Sequence, residues 1–147
     1  PYPMVATTFR LTEHHTAGAM SRNLPWLAEL QPQMFMEIGT ELAAEKGIED
    51  GDWMTVVSAR GEIEGRARVT ERVRPLKLGE RVVHQVAMPW HWGSTRSSDL
   101  GVSGDAANDL IPATGDPNVS IQESKAFRCD VRPGRRQGQT TQKLEGA

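Results

Sequence analysis

Residues 53–59 and 62–73 alternate apolar and polar side chains on either side of Arg60-Gly61, and this pair of runs constrains the chain more than any other feature. A strand carries successive side chains on opposite faces, so each run presents one apolar face, and the Arg-Gly step supplies the turn between them. Four more runs join this hairpin. Residues 5–11 (V-A-T-T-F-R-L), rich in β-branched and apolar residues, read as a buried strand. Residues 34–38, 81–88 and 124–131 read as others. About six or seven short strands with one or two short helices predict a mainly β fold, a closed or nearly closed barrel, because closure removes exposed strand edges. The helices are a turn at residues 24–30 and a segment from Glu41 to Lys46, which Thr40 caps and Gly47 ends. Asp50-Gly51 marks a turn, residues 93–104 are Ser- and Gly-rich loop, and a further loop has begun by Pro112.

At 147 residues the chain has room for one core. Residues 1–131 are expected to form that domain. Residues 132–147 are polar, with Leu144 the one large apolar side chain, and are expected to be a mobile tail unless a partner holds them. The chain opens on Pro1 rather than methionine, which points to a segment of a longer polypeptide. A net charge of −2 disfavours nucleic acid as a partner. The single cysteine, Cys129, excludes an internal disulfide and any multi-cysteine zinc or iron–sulfur site built by this chain alone. No apolar run approaches the ~20 residues of a membrane helix.

Three clusters could carry chemistry. The first, R-L-T-E-H-H-T-A-G-A-M-S-R from Arg10 to Arg22, sets cationic, hydroxyl and imidazole groups beside small residues just after a strand. Small residues let a ligand approach the backbone, and Arg, hydroxyls and N–H groups satisfy anionic oxygens. A polar surface loop is the competing reading. His14 and His15 are neighbours on an extended segment and so point to opposite faces, a poor arrangement for sharing one metal ion. The second cluster, M-P-W-H-W-G from Met88 to Gly93, ends a strand with two indoles and an imidazole. Trp26 and Trp53 are expected in the core, whereas Trp90 and Trp92 could equally pack or stack on a heterocycle. In the third, G-D-A-A-N-D-L, Asn108 offers both a donor and an acceptor, and Lys125 further on can neutralise a phosphate; a capping Asn and a solvated Lys are the plain alternatives.

Taken in order, these motifs and G-D-P-N-V resemble the C-terminal dinucleotide-binding domain of the dimethyl-sulfoxide-reductase family over roughly residues 5–131. The wording T-T-F-R-L-T-E-H and H-W-G is most similar to formate dehydrogenase large subunits, with periplasmic-type nitrate reductases as the nearest competitors. The resemblance implies a double-psi β-barrel, of the aspartate-decarboxylase-like kind, that helps to clamp a bis-(molybdopterin guanine dinucleotide) cofactor with molybdenum or tungsten. It assigns Thr8, Arg10, Leu11, Thr12, Glu13, His14, His15 and Thr16 to the pterin and diphosphate. Trp90 would lie beside the cofactor, Asn108 on its polar edge and Lys125 near its end.

It implies no catalytic residue and no metal ligand in this segment. The 4Fe-4S cluster and the metal-ligating residue belong to earlier domains of the parent chain. Partners would be those domains, an iron–sulfur electron-transfer subunit and formate itself, and the address would be periplasmic or cytoplasmic, with the periplasm favoured. Another family oxidoreductase, or a non-catalytic barrel that binds protein, is the alternative function. In a further one, residues 132–147 dock an electron-accepting subunit.

Overall fold

The computed structural model describes residues 1–93 and 104–136. Eight strands and two short α-helices are present among them: β1 (Met4–Phe9), α1 (Pro25–Leu30), β2 (Phe35–Ile38), α2 (Thr40–Lys46), β3 (Trp53–Val57), β4 (Glu62–Val69), β5 (Leu76–Leu78), β6 (Arg81–Val83), β7 (Gln85–Pro89) and β8 (Phe127–Pro133). Six strands close in the order β1-β7-β2-β4-β3-β8, and β5 and β6 form a separate hairpin. Two pairs, β1 with β7 and β2 with β4, are parallel, and the other neighbours are antiparallel. Replacing β1, β2 and β3 by β4, β7 and β8 leaves every neighbour and direction unchanged, so the barrel carries an internal twofold pattern. This is the double-psi arrangement expected.

Alternation puts one face of each strand inside. Met4, Ala6 and Thr8 of β1, Ile63 and Ala67 of β4, and Phe127, Cys129 and Val131 of β8 are buried, with Met36, Ile38, Met54, Val56, Val86 and Met88 filling the centre. Gly65 leaves room for Met36, whose terminal methyl would lie 3.3 Å from a Cβ there. Burial pushes the Cys129 thiol up to about 12, with the Asp130 carboxylate adding to the effect. Because the thiolate is the reactive form, the folded chain should leave a thiol reagent unreacted near neutral pH and take up one equivalent only in denaturant. Prompt labelling without denaturant would show that β8 is not seated as described.

Several local expectations need correction. Gly39, not Thr40, is the N-cap of α2, and it makes no side-chain capping bond. Gly47 does end that helix at φ 65, with Ile48 N–H donating to the Ala43 carbonyl and Gly47 N–H to Ala44, the two bonds of a Schellman motif. The run predicted over residues 81–88 is two strands. It breaks at His84, whose carbonyl accepts from Val5 N–H as the chain leaves the β5–β6 hairpin for the barrel. Strand β4 stops at Val69, and β8 starts at Phe127, three residues after the predicted start.

Trp26 is 84% exposed rather than in the core, since α1 buries only Ala28. Trp53 is half-buried between the guanidinium groups of Arg66 and Arg135, each 4.4 Å from its ring.

Strand β8 continues past residue 131, and the residues after it are held by ion pairs. Arg132 pairs with Glu62, Arg135 with Glu64 at 2.6 Å and Arg136 with Asp105 at 3.0 Å. Burial opposes the Glu64 charge, but the Arg135 hydrogen bond, the Arg136 N–H and both guanidinium charges outweigh it and hold this carboxyl below the usual range. The remainder of the expected tail, residues 137–147, and most of the expected 93–104 loop lie outside the described residues.

Candidate functional site

The registers decide which loops share an end of the barrel. Strands β1 and β7 finish together at Phe9 and Pro89, β8 begins beside β1, and β2 begins beside the end of β7. The β3–β4 turn lies at the same end, because Val57 pairs with both Glu62 and Asp130. Segments 10–34, 58–61, 90–93 and 104–126 therefore leave and re-enter the barrel at one end. Every candidate binding residue assigned in the sequence is at that end. An open cleft at the opposite end, lined by Gly39, Thr40, Val73, Arg74, Lys77 and His84, contains none of them.

Thr8 and Lys125 meet although 117 residues separate them: Lys125 Nζ donates to the Thr8 carbonyl at 3.0 Å. Thr8 Oγ1, buried, is 3.4 Å from the Ser124 carbonyl. Arg10 is exposed and its guanidinium lies 5.5 Å from the ring of half-buried Trp90. Leu11 is half-buried, and its N–H donates to His91 Nε2 at 2.7 Å. Thr12, His15 and Thr16 are exposed and Glu13 is half-buried. Thr16 holds φ 51, a left-handed conformation costly for a β-branched residue, and so stores strain in the loop.

His14 is buried, unlike its exposed neighbour His15. Its Nε2 is 2.9 Å from the Gln31 carbonyl and must therefore carry a hydrogen, while Nδ1 is 3.1 Å from Ser21 Oγ. The ring stands edge-on to Trp92 with centroids 5.1 Å apart. Asn108 occupies a single 3-10 turn, Ala107–Asp109, with its side chain exposed. That turn is tied to the β3–β4 side of the end through Ser58 Oγ, which donates to the Leu110 carbonyl at 2.7 Å, and through Asp105, which accepts from Glu64 N–H at 2.9 Å.

The structure thus gathers Thr8 with Lys125, Arg10 with Trp90, and Leu11 and His14 with the residues after Trp90. Asn108 shares the end, on a turn whose approach packs against the same 91–93 segment: a Cβ on Gly93 would lie 2.5 Å from Ala106 and one on Gly104 2.6 Å from the Trp92 ring.

Three residues at the centre of the gathering, Gly18, Arg22 and His91, were not among those singled out one by one. Arg22 is buried, and its Nη1 donates to the Ala17 carbonyl at 2.9 Å and to the His91 carbonyl. Burial lowers its guanidinium below the ordinary arginine value, and among the described residues no carboxylate pairs with it. His91 is fully buried. Its motif was visible in the sequence, but nothing in the spacing shows that it meets Arg22 from 69 residues away. Arg22 Nε, His91 Nδ1 and Trp92 Nε1 are buried without hydrogen-bond partners among the described residues. Unpaired buried N–H groups are costly and rare, so a cluster of them beside a buried cation suits an acceptor-rich, anionic ligand.

A closed six-stranded β-barrel that gathers polar, cationic and aromatic groups from distant segments at one end defines a cofactor-binding barrel domain. The chain belongs to the family described as "Molydopterin dinucleotide binding domain", whose sequence profile matches residues 4–128. It is 45% identical over 130 residues to the formate dehydrogenase subunit alpha of Megalodesulfovibrio gigas, a match covering 88% of this chain and 12% of that protein. The nitrate-inducible formate dehydrogenase major subunit of Escherichia coli is 42% identical over 130 residues, again 88% of this chain and 12% of the relative. The chain therefore spans about an eighth of the length of these relatives. Among solved structures, acetylene hydratase from Pelobacter acetylenicus superposes with a TM-score of 0.63 at 13% identity, covering 89% of this chain and 18% of that one, and shares the fold.

Proposed function

We propose that this barrel is the dinucleotide-clasping domain of a formate dehydrogenase large subunit, with its gathered end turned to the guanine dinucleotide of a bis-molybdopterin cofactor. The observation that carries the reading is the convergence of Thr8, the 10–16 segment, Trp90 and Lys125 on one end of a barrel whose sequence follows formate dehydrogenase alpha subunits across most of its length.

The unpaired donors of His91, Trp92 and Arg22 fit phosphate and pterin oxygens in their chemistry. Lys125 and Arg10 would meet phosphate charge, Trp90 would present a face to a heterocycle, and Asn108 would read a polar edge. When bound, the cofactor supplies two-electron chemistry at molybdenum or tungsten that takes formate to carbon dioxide. This domain binds, orients and shields it. The iron–sulfur cluster and the metal ligand belong to the rest of the large subunit, which with an iron–sulfur electron-transfer subunit completes the assembly. We further propose a periplasmic address for the assembled enzyme.

In the full-length protein, Lys125→Ala and Asn108→Ala should each reduce the guanine nucleotide released on acid hydrolysis and the bound metal together, by about tenfold for the lysine, as expected for loss of a charge-assisted bond. Metal analysis of the same samples distinguishes molybdenum from tungsten. Full nucleotide content in both folded variants would return these residues to a structural role.

A further inference from the structure

The 10–22 segment is held against the 89–93 segment by one residue used twice. His91 accepts Leu11 N–H with its ring Nε2 at 2.7 Å and receives Arg22 Nη1 with its backbone carbonyl. Gly18 presses on that same carbonyl so closely that a Cβ would come within 2.2 Å of it. A ring nitrogen that accepts from an N–H cannot itself carry hydrogen, so the neutral ring holds its proton on Nδ1. A second proton could go only to Nε2, where it would face the Leu11 N–H, donor against donor. Latch and protonation exclude each other.

We propose that His91 is a positioning residue for the dinucleotide: as a neutral imidazole it fixes the Leu11 amide, and through it the 10–16 segment, and it lets that segment go when protonated. The proposal rests on the reading above that residues 10–16 line the dinucleotide.

The surroundings favour the neutral form. Burial holds the His91 imidazole below its ordinary value of 6.5; a backbone contact at Thr16 works the other way, and His14, Arg10 and Arg22, the titratable and charged groups facing the ring from the 10–22 segment, add to the lowering. The sign follows. A released ring takes up its proton as pH falls below 6.5, whereas the latched ring resists until a lower pH. The latch is therefore at full strength above 6.5 and is lost as pH falls through the lower, folded value.

The test compares the full-length protein with His91→Gln, whose amide oxygen can accept from Leu11 but does not titrate, and His91→Phe, which fills the space without an acceptor. Hydrogen exchange of the Leu11 amide, corrected for its intrinsic rate, and guanine nucleotide retained after dialysis are measured at about pH 7.5 and about pH 5. His91→Phe should exchange about tenfold faster at both and retain less nucleotide. The wild type should loosen only at the lower pH, and His91→Gln should stay protected at both. Unchanged Leu11 protection in His91→Phe would overturn the latch. Parallel loosening of His91→Gln and wild type would overturn the protonation step, and an exposed Leu11 amide with full nucleotide retention would overturn the positioning role. A wild type without nucleotide would instead sink the functional reading and the positioning role with it, while the exchange arm still decides the latch.

Discussion

Gly18→Ala is expected to destabilise the chain by about 3 kcal/mol and to expose the Leu11 amide to exchange, a large effect for the addition of one methyl group. Two causes act together. Gly18 sits at φ 79, where an L residue pays about 1 kcal/mol relative to glycine. Its new Cβ would also lie 2.2 Å from the His91 carbonyl oxygen, 3.0 Å from its carbon and 2.7 Å from Arg22 Nη1. A guanidinium tip can swing aside, but backbone at the end of β7 cannot, so the loop must lift and with it the Arg22 and His91 bonds. Urea denaturation of variant and wild type measures the change. A loss below about 1 kcal/mol with Leu11 still protected would mean that the 10–22 segment does not rest on His91.

Leu110→Ala should cost about 2–5 kcal/mol, as for other fully buried leucines whose space cannot collapse. Leu110 packs into the core from the turn that bears Asn108, while its carbonyl receives the Ser58 hydroxyl. Truncation should free that turn and raise exchange at residues 107–111 without changing the Leu11 amide. The Arg22, His91 and Leu11 contacts are made by other residues of the same end. Equal exposure of both segments in Leu110→Ala would show that the end behaves as one cooperative unit.

These two variants separate what was legible along the chain from what was not. The β3–β4 hairpin was legible because alternation and a turn dipeptide are local, and α2 was bounded correctly at Lys46 because a left-handed glycine follows it. Of the β5–β6 hairpin, β5 was missed and β6 was read as one strand with β7. Three residues are too few for alternation to stand out from a loop, and β5 is exposed throughout, so burial adds no apolar run to mark it. Trp26 was misplaced because indole hydrophobicity argues for burial, while a six-residue helix has one narrow buried side, which Ala28 takes. Residues 132–136 look like a polar tail in composition, yet their arginines find Glu62, Glu64 and Asp105, charges that come together only when β3, β4 and β8 are paired.

By itself, the sequence determined that the fold would be a mainly β barrel, that its loops would carry the polar and aromatic groups, and which family the motifs belong to, since propensity, turn chemistry and motif wording are written within short windows. Tertiary structure alone decided that Lys125 reaches Thr8, that His91 bonds both Leu11 and Arg22, and that the turn bearing Asn108 is tied to Ser58 and Glu64. The physical reason is closure. Which strands neighbour one another, and in what register, depends on burying all six inner faces at once, and a one-residue slip in any strand would turn its buried set outward. No local window contains that condition, and the gathered end exists only once it is met.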